Sequence, residues 1–373
     1  MNIDELIQLS RKYGSDPEFV LGGGGNTSEK LGDTMFVKAS GTSLAAIDES
    51  GFVSMRLDAA QAILRREYST EASRRESEIL DALMRARSPG QSLRPSVETI
   101  LHALFPFKFV VHTHPCLVNG LLCSQESESA AEKLFDEKTL WLPYTTPGYV
   151  LSRRIYDEFN DRKVRGRVIP NVVLLQNHGI FVGADSIEEI DSLYSKAMAN
   201  IRAQIKKFPD RSPVKTDAAA VENWRSAISA LPDTPSVSFA VDAEIAGRVA
   251  SRSEFETLVR PFSPDHIVYA GARPLFVEST SEAEDFRASV RTAWDKFISA
   301  NGFMPKIVAV EKLGIFARGD SEKNSSLALA LFSDAIGVAR YSESFGGPHY
   351  MDRADEEFIK TWEVEQYRAK MTK

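Results

Sequence analysis

Residues 172–186, VVLLQNHGIFVGADS, and residues 307–321, IVAVEKLGIFARGDS, are variations on one pattern. Gly, Ile, Phe, Asp and Ser coincide in the last eight positions, and a helical pattern follows each stretch. An apolar run, a turn and a second apolar run make a buried strand–turn–strand unit. Its repetition constrains the fold more than any local propensity, because each copy must bury the same faces. Upstream, VETILHALFPFKFVVHTHP (97–115) aligns with FETLVRPFSPDHIVYAGA (255–272) with one deletion. The chain therefore reads as two related α/β units, the second a diverged copy of the first. In this alignment His112 falls on Tyr269, His114 on Gly271 and His178 on Leu313.

A chain of 373 residues exceeds one ordinary core. The stretch FPDRSPVKTD (208–217), with two prolines and scattered charge, reads as a linker. It predicts one domain over 1–207 and a second over 218–373. In the first, MNIDELIQLSRKYG is an amphipathic helix with Ile3, Leu6, Ile7 and Leu9 inward. LGGGGNTSEK is expected to be a loop, TMFVKAS a strand, and RLDAAQAILRREY and ESEILDALMRAR helices. SVETILHALF reads as a helix capped by Ser96. KFVVHTH, TLWLPY, NVVLLQN and GIFVGAD read as strands, with a helix after Gly148 and a long one capped by Asp185 or Ser186. In the second domain ENWRSAISAL and EIAGRVASRSEFETLV read as helices, and HIVYAG and PLFVES as strands. The tail ADEEFIKTWEVEQYRAKM reads as helical.

Apolar residues make up 43% and charged residues 26%, as in ordinary globular proteins. The net charge is −7 and no Lys/Arg block resembles a nucleic-acid patch, so a polyanionic partner is not expected. Cys116 and Cys123 are too few for a disulfide framework, which fits a reducing cytoplasm. The N-terminus lacks the apolar centre of a signal peptide, and no apolar run is long enough for a membrane span.

Only six histidines occur, yet His112 and His114 stand one residue apart at the end of an apolar run. On a strand they share a face. Two adjacent imidazoles point to a divalent metal, although hydrogen-bonded histidines at a strand end would look the same. His178, at the end of strand 172–177 and followed by Gly179, supplies a third imidazole. Three nitrogen ligands suit a catalytic Zn²⁺ with an open position, whereas structural zinc usually takes thiolates. Glu98 and His102 lie four apart on a helix. Glu98 could be a ligand, an acid/base beside the metal, or a solvated helix residue. His102 reads as a residue that orients Glu98 or packs. The loops GGGGNTS and KASGTS, and Ser96 at a helix start, are candidate anion cradles. Neither a Walker pattern nor a dinucleotide fingerprint is present.

Taken in order, GGNTS, KASGT, RPSVE, HTHP and NHGIF resemble the class II aldolase/adducin family over about residues 20 to 206. The layout with a second half is most like the aldolase part of rhamnulose-1-phosphate aldolase-type proteins, without their dehydrogenase portion. The resemblance implies an αβα layered domain, followed here by the diverged α/β domain, often assembled as a homo-oligomer. It implies a zinc ion on His112, His114 and His178, with Mn²⁺ or Co²⁺ as other divalent ions, and Glu98 as catalytic acid/base. It implies phosphate contacts from Gly25, Asn26, Ser40, Gly41 and Ser96. Val97 stands where the family pattern has a second serine, and Lys38 where simple sugar-phosphate aldolases carry a small polar residue. Lys38 suits a phosphate or a carboxylate equally. The expected activity is therefore aldehyde-lyase chemistry on a sugar phosphate or sugar acid. The alternatives are an epimerase, dehydratase or decarboxylase on the same scaffold, and an adducin-like binding protein. The second domain is expected to be non-catalytic, with YSESFGGPHYMDR (341–353) a segment that could reach a site.

Overall fold

The structure, a computed structural model, describes residues 2–279 and 286–364. The end of the helical tail expected from the sequence lies outside the described residues. The chain divides into two compact units, the first running to residue 204 except for residues 123–126, which belong with the second.

The first unit is built on seven strands: β1 Asn26–Leu31, β2 Thr34–Lys38, β3 Phe52–Arg56, β4 Phe109–Thr113, β5 Thr139–Leu142, β6 Val172–Leu175 and β7 Gly179–Ala184. Their order in the sheet is β3-β2-β1-β4-β7-β6-β5. Every pairing is antiparallel except β5 with β6, which the helix Tyr149–Val164 connects. Side chains alternate across β4. Val110 joins Leu101, Ile155 and Phe181 in one core under the helices Thr99–Leu104 and Tyr149–Val164. On the opposite face Thr113 meets Tyr194 of the helix Ile187–Arg202. Helices thus cover both faces, in the αβα layering of the expected fold.

Two local expectations fail for physical reasons. NTSEK is strand β1 and not loop, because it pairs with both β2 and β4. Its polar side chains are satisfied internally: Thr27 Oγ1 lies 2.7 Å from Ser10 Oγ, and Ser28 Oγ lies 2.8 Å from His102 Nδ1. Tertiary pairing overrides composition here. The helix expected from Ser96 begins at Thr99, with Glu98 in the capping position. Pro95 and the turn closed by Thr99 N–H on Ser96 O delay its start.

The second unit holds β8 Ser236–Ala240, β9 Leu275–Val277, β10 Ile307–Val310 and β11 Gly314–Gly319, in the order β8-β11-β10-β9. β9 and β10 are parallel and the other pairs antiparallel. This is the arrangement β4-β7-β6-β5 again. Asn177 and Lys312 both take positive φ, at 54° and 59°, in the turn before the second hairpin strand. Ser186 and Ser321 both cap the following helix, accepting from Glu189 N–H and Asn324 N–H. The two units thus share a four-strand order, a turn conformation and a helix cap.

The upstream half of the sequence alignment is corrected by the structure. HIVYAG is a π-helical turn, His266–Ala270, and not a strand. The counterpart of β4 is β8, which the sequence reading passed over. Through the registers of β4 on β7 and β8 on β11, His112 corresponds to Phe239, not Tyr269. The helix read over EIAGRVASRSEFETLV is broken at Ser251, which caps a new turn by accepting from Glu254 N–H. Residues 205–217 lie with the second unit, where Arg211 pairs with Asp242 at 2.9 Å and bonds Ser333 O. In the segment 341–353, Tyr350 stacks on Phe262 and donates to Thr257 O within this unit. No helix among the described residues is long and apolar enough to cross a membrane.

Candidate metal centre

His112 is carried by β4 on the face that packs under the helix Thr99–Leu104. Its ring stacks on Phe181 of the neighbouring β7, with centroids 3.9 Å apart and planes 10° off parallel. Its Nδ1 lies 3.0 Å from Ile180 O. A carbonyl only accepts, so Nδ1 carries the proton and Nε2 the lone pair.

His114 stands one step past the end of β4, its own N–H donated to Phe19 O. His178 sits in the tight turn between β6 and β7, where its N–H bonds Leu175 O. Asn177 makes that turn possible by adopting the left-handed region, which asparagine tolerates better than most residues. Gly179 then lets the rings close. A Cβ there would stand 2.5 Å from His114 Cδ2, 2.5 Å from Thr113 O and 3.3 Å from His112 Cε1.

The three side chains converge. His112 Nε2 lies 2.9 Å from His114 Nε2 and 3.2 Å from His178 Nε2. Glu98 Oε1 is 3.2 Å from His112 Nε2 and 3.5 Å from His178 Nε2. Burial pushes His178 down to about 4, against the opposing pull of Glu98, so its ring is neutral at ordinary pH. Burial would raise the Glu98 carboxyl, but the His112 and His178 rings beside it hold it well below the usual carboxylate range.

The chemistry of this donor set decides whether it fits a cation. Three ring nitrogens and a carboxylate oxygen crowd together, and the protons available cannot satisfy all of them. His112 has spent its proton on Ile180, and a carboxylate has none to give. A divalent ion resolves the arrangement, and three imidazoles with a carboxylate suit zinc chemistry. The residues present therefore fit the group. His178 Nδ1 is buried without a hydrogen-bond partner.

The other residues singled out in the sequence lie in three loops joined to one another. Gly25, with φ of 71°, leads into Asn26, the register partner of His112 across β1 and β4. Asn26 is fully buried; its Oδ1 accepts from Thr27 N–H, and its Nδ2 has no partner. Lys38, at 3% exposure, donates to Thr42 O at 2.9 Å and reaches Gly23 O at 3.5 Å, so it ties the first loop to the second. In the second loop Gly41 turns at φ of 80° and Ser40 N–H bonds Arg94 O. Ala39 also bridges to Pro95. In the third loop Ser96 Oγ accepts from Glu98 N–H at 3.3 Å. The loops thus connect to the imidazole cluster at two ends, through Asn26 and through Glu98.

Of the supports, the sequence pointed to Gly179 and His102 and missed Phe181. Phe181 and Gly179 shape the cluster. His102, pushed down to about 3 by burial, is a neutral ring that bonds Ser28 and gives its backbone N–H to Glu98 O. The "NHG" triplet carried the signal for the turn, whereas the stacking of Phe181 depends on strand register.

Among known proteins, the "Uncharacterized oxidoreductase YuxG" of Bacillus subtilis is 23% identical over 418 aligned residues. The match covers 98% of this chain, and the chain spans 58% of that relative's length. A solved N-terminal class II aldolase domain of a conserved protein from Thermoplasma acidophilum is 30% identical, over 55% of this chain and 94% of that one, with a TM-score of 0.48. An L-fuculose-1-phosphate aldolase from Thermus thermophilus is 15% identical, over 54% and 94%, with a TM-score of 0.35. Residues 4–195, just over half of the 373, match the family described as Class II Aldolase and Adducin N-terminal domain. The chain belongs to the class II aldolase/adducin family.

Proposed function

We propose that the chain is a metal-dependent aldehyde-lyase that cleaves or forms a C–C bond in a sugar phosphate or a related sugar acid. The observation that carries this reading is the convergence of His114 Nε2, His178 Nε2 and Glu98 Oε1 on His112 Nε2, at 2.9, 3.2 and 3.2 Å. His112, His114 and His178 would hold the ion, zinc by the softness of the donors. When bound, such an ion polarises substrate oxygens as a Lewis acid.

The rest falls to the chain's own residues. Glu98 moves the proton at carbon. In the cleavage direction the hydroxyl that becomes the aldehyde gives up its proton as the C–C bond breaks, and Glu98, having taken up a proton, delivers one to the carbon left with the bonding electron pair. In the addition direction Glu98 removes that carbon proton and the aldehyde oxygen takes up a proton as the bond forms. The Glu98 oxygen stands beside the ring nitrogens, within reach of a substrate held there. Gly25, Asn26, Lys38, Ser40, Gly41 and Ser96 bind the anionic end of the substrate. The unpartnered Asn26 Nδ2 and the Lys38 ammonium are the donors such a group requires.

A panel of ketose phosphates and sugar acids, incubated with zinc-loaded protein and assayed for released aldehyde, tests the reading. An aldehyde whose formation requires Glu98 supports it. A product with an unchanged carbon skeleton, or loss of carbon dioxide, assigns an epimerase or a decarboxylase and overturns it.

A further inference from the structure

The sheet of the second unit ends on β8, whose pairing among the described residues is with β11 alone. The equivalent strand of the first unit, β4, is not an edge. There β1 continues the sheet, with Asn26 opposite His112 and Ser28 opposite Val110. By the shared registers, His112 and Val110 correspond to Phe239 and Val237. The fold has therefore kept a strand and lost its neighbour.

The direction of the backbone groups follows from the ladder. Arg318 N–H bonds Lys306 O, so Arg318 and Phe316 turn their main-chain groups toward β10. Ile315, Ala317 and Gly319 must then face β8, at Ala240, Ser238 and Ser236. Val237 and Phe239 are left with N–H and C=O groups aimed outward. Arg225, on the helix Ala218–Ser229, donates to Val237 O, which agrees with this assignment.

Natural edges are usually blunted by charge, proline or a bulge. β8 reads Ser-Val-Ser-Phe-Ala, with neither charge nor proline, and all five residues are half-buried. The segment is also nearly symmetric about Ser238. Val237 and Phe239 lean on the core of Trp224, Trp294 and Phe316, while Ser236 and Ser238 face Ser325 on the other side at 3.0 and 2.8 Å.

We propose that β8 is an interaction surface and that its partner is β8 of a second copy of this chain, paired antiparallel about Ser238. That register sets Val237 against Phe239 of the partner subunit on both sides of the two-fold axis. Each such pair exchanges two backbone hydrogen bonds, and the apolar layer continues from one copy into the next. A longer-range register would place Pro235 inside the ladder, and a shift by one residue would set serine against valine or phenylalanine. Arg225, half-buried and otherwise paired with Glu222, must exchange its bond to Val237 O for the partner strand on pairing. The inference is independent of the metal-site reading.

Two variants of the full chain test it. Ser238→Cys, made together with Cys116→Ser, puts two thiols across a non-hydrogen-bonded pair, where Cα atoms lie about 4.5 Å apart, within disulfide range. Mild oxidation is expected to give a covalent dimer that Cys116→Ser alone does not give. Val237→Pro removes an outward N–H from each copy and is expected to weaken association at least about tenfold by sedimentation or light scattering. The cross-link decides alone should Val237→Pro fail to fold. A monomeric wild type at tens of micromolar, or an assembly that Ser238→Cys does not cross-link, overturns the proposal.

Discussion

Gly179 and His114 are so close that the missing side chain of one makes room for the ring of the other. A Cβ on Gly179 would stand 2.5 Å from His114 Cδ2, with Thr113 O equally near on the rigid main chain of β4. Gly179→Ala must therefore push His114 out of line with His112 and His178. The expected outcome is a loss of roughly 10- to 100-fold in metal affinity, of the size seen when ligand orientation is disturbed. A destabilisation of about 1–3 kcal/mol should accompany it. Competition titration with a chromogenic chelator reads the first and thermal unfolding the second. Wild-type affinity in this variant would show that His114 is not held by the glycine.

In the proposed reaction Glu98 moves a proton while the imidazoles hold the ion. Glu98→Gln keeps the shape of the side chain and loses the ability to move a proton. The variant should bind metal nearly as well as wild type and lose about 10²- to 10⁴-fold in turnover on whichever substrate yields an aldehyde. Metal content and steady-state rate, measured on one preparation, separate the two effects. Undiminished turnover removes Glu98 from the proton transfer.

The metal-free protein should be acid-sensitive well above the usual carboxylate range. His178 and His102 are held at about 4 and about 3 by burial, below the ordinary 6.5. Between those values the unfolded chain binds protons that the folded chain refuses. Stability is thus fully present above about pH 6.5 and falls as the pH drops toward 4, by roughly 3 kcal/mol for His178 alone. Glu98, held low in the fold, adds to the same trend below its unfolded value of about 4.5. Denaturant midpoints of chelator-treated protein should decline from pH 7 to 4.5, and His102→Gln should flatten the curve. A midpoint constant over that range would contradict the burial of neutral rings.

The second unit depends on a buried cation of its own. Arg318 stands where the first unit has Gly183. Its guanidinium bonds Thr234 Oγ1, Pro232 O and Pro305 O and lies 4.3 Å over the Trp294 ring. Arg318→Ala leaves these acceptors without their donor and should cost about 2–4 kcal/mol. Metal content per folded chain should stay at the wild-type level, because every proposed ligand lies in the first unit. Calorimetry with elemental analysis checks both halves of the statement.

The residues that converge were legible in the sequence because local chemistry dictates them. Alternating histidines at the end of an apolar strand, and a histidine–glycine step in a hairpin turn, hardly depend on distant partners. What the sequence hid depends on partners far along the chain. NTSEK looks like a loop until Ser10 and His102 satisfy its hydroxyls. SVSFA, with two serines and a proline just before it, lacks the apolar run that announces a strand, and HIVYAG has strand composition but winds into a π-turn with His266 bonded to Asp334. The repeat was visible where turn and cap residues coincide. It was misaligned where side chains alone, without register, had to match.

The metal content of the full chain and of His178→Ala, each purified without added metal and assayed by elemental analysis, tests the metal centre most directly. About one zinc per wild-type chain, absent from a variant that remains folded, is the predicted result. A folded wild type that carries no divalent metal and takes none up on titration would contradict a metal centre on His112, His114 and His178.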